Sequence, residues 1–360
     1  MNNPENLGFD NWFKDKIDLS QNPDFKIVRV ISVNKNSFVV SNGEKDIYAE
    51  LTGKFLFNTD SALDLPTVGD FVLAQLFDDD TLAIIQEILP RKSLLKRKAA
   101  GKKIDYQLIA ANIDIAIIMQ ALDSNFNIRR LERYLVIIND NNISPLILLS
   151  KSDLISPEEV EEKKNQILEI LPDAKIFAFS NNNLNDIENI KSLFTPQKTF
   201  CLLGSSGVGK TTLLNNLIHQ DLYKTQPIRE KDDRGKHTTT RRELIILENG
   251  SIIIDNPGMR ELGIISNESG ISSTFGEIDE LSDQCKYKDC THTVEAGCAV
   301  IEALQNGKIS EERYENFLKL YKESKYNEMS YFEKRQKDKR WGKFFNSAMK
   351  EIKNRKDSYK

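Results

Sequence analysis

Between Gly204 and Thr211 the chain reads GSSGVGKT, a match to G-x-x-x-x-G-K-[ST]. Glycines at this spacing let backbone amides turn inward toward phosphate. Lys210 can reach the outer phosphates, and the Thr211 hydroxyl can bind Mg²⁺. The flanking residues suit the task, since KTFCLL reads as a strand and TTLLNNLI as the helix that follows it. The predicted phosphate site comprises Gly204, Ser205, Ser206, Gly207, Val208, Gly209, Lys210, Thr211 and Thr212.

A phosphate loop does not select a base, but SKSD (Ser150, Lys151, Ser152, Asp153) at the end of the apolar run PLILLS can. The Asp153 carboxylate can accept hydrogen bonds from the ring N–H and exocyclic amine of guanine. Adenine would leave it unpaired, at a cost of roughly 1–3 kcal/mol. The aliphatic stem of Lys151 can cover the ring face. Ser180 and Asn181, after a further strand, loosely match a serine–alanine pair that backs guanine. DNPG (Asp255 to Gly258) supplies a D-x-x-G in which Asp255 orients Mg²⁺ through water and the Gly258 amide faces the γ-phosphate. GKHTTTRR (Gly235 to Arg242) lies where a threonine-bearing switch completes the Mg²⁺ shell, with Thr239 the predicted ligand. The expected ligand is therefore GTP or GDP with Mg²⁺, held by Thr211, Thr239 and, through water, Asp255. A P-loop ATPase or kinase is the alternative and requires ATP to compete with GTP.

Cys285, Cys290, His292 and Cys298 form a third constellation. Three thiolates and an imidazole are the four ligands of a closed tetrahedral zinc site, structural because it keeps no water. Cys201, in the strand before the phosphate loop, reads as core. His219 reads as a surface or capping residue.

The elements that must carry these residues change character along the chain. Residues 25–90 alternate short β-rich runs with turns, predicting five strands, no strong helix and a small antiparallel barrel for which the oligonucleotide-binding type is a candidate. RKSLLKRKAAGKK (Arg91 to Lys103) reads as a basic linker. From Ile113 apolar strands alternate with helices, as in a parallel sheet covered on both faces. The helix over SPEEVEEKKNQILEIL has Ser156 as cap, Pro157 in its first turn and Glu159 closing a capping box. LIIL and SIIID read as a hairpin across Glu248 to Gly250. With the base-reading loop before the phosphate loop and its switches, the order is that of a circularly permuted GTP-binding domain, which close surface termini permit.

The 360 residues are 39% hydrophobic and 29% charged, with a net charge of −4. Tyr331 to Lys360 carries eleven Lys/Arg against four Asp/Glu, so the tail is about +7 and the remainder about −11. A basic tail on an acidic body suits a polyanionic partner or a merely solvated segment. No signal peptide or membrane span is expected, and the chain reads as cytoplasmic.

Together SKSDL, GSSGVGKTTLLN, GKHTTTRR, DNPGMREL and CKYKDCTHTVEAGC resemble the circularly permuted small ribosomal subunit biogenesis GTPases. The resemblance implies a multidomain α/β chain. Residues 1–95 would form an oligonucleotide-binding-type β-barrel, 96–267 a circularly permuted P-loop GTPase domain, and 268–360 a helical zinc-binding domain with a basic tail. It also implies a monomer with one Zn²⁺ that binds the small subunit and its rRNA, acts late in its assembly, and hydrolyses GTP to time its own release. A GTP-sensing rRNA-binding module with negligible hydrolysis is the alternative.

The chain departs from the family pattern in several places. Ser150 replaces an asparagine, and its shorter hydroxyl is expected to lose a tie to the phosphate loop. Lys236 and Asn256 stand where arginine and Thr or Ser are frequent. Met259 follows D-x-x-G where many GTPases carry a water-orienting glutamine, and Ser266 replaces a histidine. His237 is left as the candidate catalytic imidazole, with a structural or RNA-facing role as its alternative.

Overall fold

The computed structural model describes residues 3–17, 24–34, 37–98, 106–218, 243–255 and 268–328. A one-turn helix, α1 (Asn11–Lys14), precedes β1 (Phe25–Val33), β2 (Phe38–Ser41), β3 (Asp46–Leu51), helix α2 (Gly53–Phe57), β4 (Phe71–Phe77) and β5 (Leu82–Ile88). The strands run in the order β1-β2-β3-β5-β4, and β4 returns to pair with β1. All pairings are antiparallel except β3–β5. A closed five-stranded sheet with a helix between its third and fourth strands is the oligonucleotide-binding barrel expected from the sequence. Period-two alternation builds it: Ile47 and Ala49 face the interior beside Val28, Val40 and Ile85, while Asp46, Tyr48 and Glu50 face outward. Helix α2 was not expected. At five residues it is too short to show a period, and it starts where Thr52 caps the Phe55 amide.

The basic stretch after the barrel is less of a linker than its composition predicts. Leu94–Lys98 forms β6, paired antiparallel with β7 (Tyr106–Ala111). Arg91 makes a bidentate pair with the fully buried Asp70 and also donates to the carbonyls of Leu63 and Leu65. That arginine is thus committed to the fold and not offered to a polyanion.

The second sheet follows the predicted alternation. Its elements are β8 (Ile115–Ala121), α3 (Ile128–Asn139), β9 (Ser144–Ser150), α4 (Pro157–Leu168), β10 (Ile176–Phe179), α5 (Leu184–Lys191), β11 (Thr199–Leu203), α6 (Lys210–Ile218), β12 (Glu243–Ile246) and β13 (Ile252–Asp255). Strand order is β10-β9-β8-β11-β13-β12, parallel apart from the β12–β13 hairpin. The near-continuous apolar runs of β8, β9 and β11 are buried, as strands covered on both faces must be. The Ser156–Glu159 capping box forms with Pro157 in the first turn.

One register pair, Ser32 with Glu243, joins β1 to β12 and makes the two sheets continuous. Arg29 locks this joint from within. Its fully buried guanidinium donates to the carbonyls of Leu7, Gly69 and Asn112 and to Thr199 Oγ1, and it lies 4.8 Å from the Phe71 ring. Burial lowers its pKa to about 10, so it stays charged at neutral pH.

Beyond residue 267 the described chain forms four helices, α7 (Glu268–Thr274), α8 (Gly276–Ser282), α9 (Ala299–Gln305) and α10 (Glu311–Glu328), with an irregular stretch over 283–298. Of these, α7 and α10 seat on α3. A Cβ on Gly270 would stand 2.4 Å from the Val136 carbonyl, so only glycine allows α7 this close to α3. Glu132 of α3 is fully buried and is met by Arg129, by Arg313 at 2.7 Å and by Asn316. Arg313 also binds Glu277, and Arg133 makes a bidentate pair with Glu323. A buried carboxylate is tolerated only with such compensation. Among the described residues no helix is long and apolar enough to cross a membrane.

Candidate nucleotide site and metal cluster

The parallel strands β10, β9, β8, β11 and β13 end at one edge of the sheet, where ligands of open α/β sheets bind. The loop after β11 is Gly204 to Gly209. Gly204, Gly207 and Gly209 have φ of 155°, 78° and 91°. Side chains would collide there: a Cβ on Gly204 would lie 2.6 Å from the Met119 carbonyl, and one on Gly209 2.6 Å from Asn181 Nδ2. Buried Val208 anchors the loop. Lys210 bends back over it, donating to the carbonyls of Gly204 and Ser205 at 2.8 Å each. Ser206, Gly207 and Thr211 are exposed, and Thr212 is half-buried at the start of α6. Ser205 Oγ is buried and has no partner among the described residues.

Two neighbouring loops are tied to this one. Ser150 ends β9, and its hydroxyl donates to the Val208 carbonyl at 2.6 Å. The expectation that a serine here loses its tie to the phosphate loop is therefore wrong. Position 150 is fully buried and close enough for the short side chain to bridge directly. Removing this hydroxyl leaves the Val208 carbonyl without it, which typically costs about 1–2 kcal/mol. Ser150→Ala is thus expected to weaken guanine-nucleotide binding about tenfold by calorimetric titration; an unchanged affinity would show that this bond does not hold the loop.

After β10, the Ser180 amide donates to Asp186 Oδ2 at 2.8 Å, and Asn182 donates to Ser180 Oγ. Asn181 Nδ2 donates to the Gly209 carbonyl at 3.4 Å, while Asn216 of α6 holds the Asn181 carbonyl. Asn181 Oδ1 is buried and has no partner among the described residues. Ser150 and Asn181 thus bring the two predicted base loops against the phosphate loop.

Lys151 sits at φ 62°, and its ammonium pairs with Asp123 Oδ2 at 2.7 Å. Burial opposes ionisation of Asp123, but hydrogen bonds from Lys151 and Asn125 outweigh it and hold the carboxyl below its usual range. Sequence reasoning missed Asp123. It stands 28 residues from Lys151, and only the β8–β9 pairing brings the two loops together. This ion pair fixes the lysine head, so its stem can serve as a platform. Ser152 is half-buried in a 3-10 turn over Ser152–Leu154. The Asp153 carboxylate is exposed and meets no protein group among the described residues. Asp255 closes β13, one strand over from the phosphate loop. His237, Thr239, Gly258 and the departures at Lys236, Asn256, Met259 and Ser266 lie outside the described residues, as does His219. Cys201 is core, as expected.

The cysteine–histidine constellation comes together between α8 and α9. One donor atom from each of Cys285, Cys290, His292 and Cys298 lies within 4.8 Å of the others. A tetrahedral zinc ion with bonds of about 2.3 Å to sulfur and about 2.0–2.1 Å to nitrogen requires edges of about 3.8 Å between sulfurs and about 3.5 Å between sulfur and nitrogen. Cys285 and Cys298 Sγ are 3.8 Å apart, and His292 Nδ1 lies 3.6 and 3.5 Å from them. His292 Nε2 meets Ser282 Oγ at 3.2 Å, an outer contact that orients the ring. Burial, with the two neighbouring thiols, pushes Cys290 up to about 12 in the absence of a cation. Metal binding to this cluster must therefore release protons.

The family model described as RsgA GTPase matches residues 88–265. Small ribosomal subunit biogenesis GTPase RsgA 2 of Vibrio parahaemolyticus is 35% identical over 353 residues, 98% of this chain and 94% of the relative. The protein of the same name from Listeria monocytogenes is 39% identical over 324 residues, 90% of each chain. Among solved structures, YjeQ from Thermotoga maritima superposes with a TM-score of 0.62 at 26% identity, covering 83% of this chain and 98% of that one. YloQ, a circularly permuted GTPase, gives a TM-score of 0.60 at 25% identity, covering 84% and 95%.

Proposed function

The chain belongs to the RsgA GTPase family, and from that premise we propose that it binds the small ribosomal subunit, acts late in its assembly, and hydrolyses GTP to GDP and phosphate to time its release. The observation that carries the reading is the 2.6 Å bond from Ser150 to the Val208 carbonyl, which joins a guanine-type loop to a phosphate loop across the permuted chain order. Gly204 to Thr212 cradles the phosphates. Asp153 reads the base, Lys151 covers its face, and Ser152, Ser180 and Asn181 complete the wall. Thr211 is exposed at the start of α6 and Asp255 ends the strand paired with β11, which leads into the phosphate loop; both suit Mg²⁺ held by Thr211, Thr239 and, through water, Asp255. When bound, Mg²⁺ neutralises charge between the β- and γ-phosphates. Gly258 senses the γ-phosphate, and His237 is the candidate to position water.

We take the metal of the Cys285–Cys290–His292–Cys298 cluster to be one structural Zn²⁺, on the match of its edges to zinc–thiolate geometry. The proposed division is a barrel over 1–95, a permuted GTPase domain over 96–267 and a zinc-binding helical domain with a basic tail over 268–360. The chain acts as a cytoplasmic monomer, with rRNA a further partner.

Because the chain after DNPG runs on through α7 and α8 toward the cysteine cluster and the tail, we take nucleotide state and subunit affinity to be coupled. Co-sedimentation is expected to be at least about fivefold tighter with a non-hydrolysable GTP analogue than with GDP. Deleting Tyr331 to Lys360 should flatten the salt dependence of binding. Equal binding in both nucleotide states would remove the switch, and an unchanged salt slope would remove the tail from the interface.

A further inference from the structure

The outer face of the barrel carries an apolar row between acidic flanks, and among the described residues the chain covers only one side of it. On the β1–β4 side Ile27, Phe71 and Leu73 are sealed by Leu7, Phe9 and Phe13, with the Phe13 and Phe71 rings 4.7 Å apart. On the remaining side the register aligns Val39 of β2, Tyr48 of β3, Leu82 of β5 and Phe77 of β4 in one row across four strands. Ile47 and Ala49, which alternate with Tyr48, face the interior, so this row faces out. Tyr48 is 47% exposed and Phe77 40%.

Barrels of this type take bases on the outer face of their second and third strands, where aromatic rings stack and a basic groove tracks the phosphates. Here the rings are present but the charge has the opposite sign. Residues 44–51 and 75–84 contain six carboxylates and one base, Lys45. That lysine already donates to the Asp79 carbonyl. The Tyr48 hydroxyl donates to Glu50 at 2.8 Å on one side of the row. On the other side lie Asp46, exposed two residues before Tyr48 on β3, and the turn Asp78, Asp79, Asp80, which Lys45 next to Asp46 reaches. A phosphate backbone laid on this row would run within a Debye length, about 8 Å, of like charges on both flanks.

We propose that this face docks a basic polypeptide segment, in which lysine or arginine alternates with aliphatic or aromatic side chains, and that it rejects nucleic acid. Apolar side chains of the segment cover the Val39–Phe77 row. The stems of its bases lie along the same surface while their heads reach the flanking carboxylates. The inference rests on the reading that the chain works on the small ribosomal subunit, and it assigns the contact at this face to a protein component of that subunit.

The test uses the full-length chain with Tyr48 replaced by the photo-crosslinker p-benzoyl-phenylalanine, bound to purified small subunits and irradiated. A second version with the probe at Phe77 guards against local misfolding. The expected result is a subunit-dependent crosslink, from both positions, to a Lys/Arg-rich protein segment. Its yield should fall at least fivefold when Asp46→Lys and Asp80→Lys are added, while co-sedimentation persists. A crosslink to RNA, a crosslink to the chain itself, or no crosslink in protein that co-sediments would overturn the assignment. Loss of co-sedimentation by the unmodified chain would instead sink the proposed function, and this assignment with it.

Discussion

Asp153→Asn is expected to weaken GTP binding about 100-fold or more and to bring XTP up to comparable or higher affinity. The amide presents a donor where guanine also presents donors, whereas xanthine offers an oxygen in place of the exocyclic amine. The structure makes this a clean experiment. The Asp153 carboxylate is exposed and meets no protein group among the described residues, so the substitution strands no buried partner and should leave the melting temperature unchanged. Its neighbours are held independently, Lys151 by Asp123 and Ser150 by the Val208 carbonyl. Competition titrations with GTP, XTP and ATP decide the matter. Undiminished GTP affinity in the variant would show that this loop does not read the base.

The second large effect concerns the metal cluster. Structural zinc contributes on the order of 10 kcal/mol or more to the folding of small domains. Cys290→Ser, or chelation, is therefore expected to release one zinc per chain and to expose the segment from Cys285 to α9 to protease. The loss should stay local. Helices α7 and α10 are held on α3 by the Gly270 contact and by the pairing of Glu132 with Arg313, neither of which touches the cluster. GTP binding should survive within a few-fold. Zinc-free protein with unchanged proteolysis between Cys285 and Gln305 would refute the structural role.

What the sequence made legible was whatever depends on short spacing. The Ser156–Glu159 box, the hairpin across Glu248 to Gly250, the glycines of the phosphate loop and the four metal-type ligands all lie within a few turns of chain, and local chemistry dictates their geometry. Barrel strands were legible too, because alternation along Asp46–Leu51 directly records which face is buried. The contacts that organise the candidate site were not. Ser150 and Val208 are 58 residues apart, Asp123 and Lys151 are 28, and Glu132 and Arg313 are 181. No period or motif encodes such pairs; strand order and helix packing create them. Side-chain length alone misreads position 150, because β9 approaches the phosphate loop closely enough for a hydroxyl to bridge. Charge alone misreads Arg91, because the guanidinium is paired with buried Asp70.

A guanine-specific hydrolase whose activity is set by the small ribosomal subunit must turn over faster when that subunit is present. Release of labelled phosphate from GTP, measured with and without purified small subunits, tests it most directly. Turnover should be slow for the chain alone and at least about 100-fold faster when subunits are present, within the range that a partner can supply by completing a GTPase site. Phosphate release no higher than background in both conditions would contradict it and leave a nucleotide-sensing binding protein in its place.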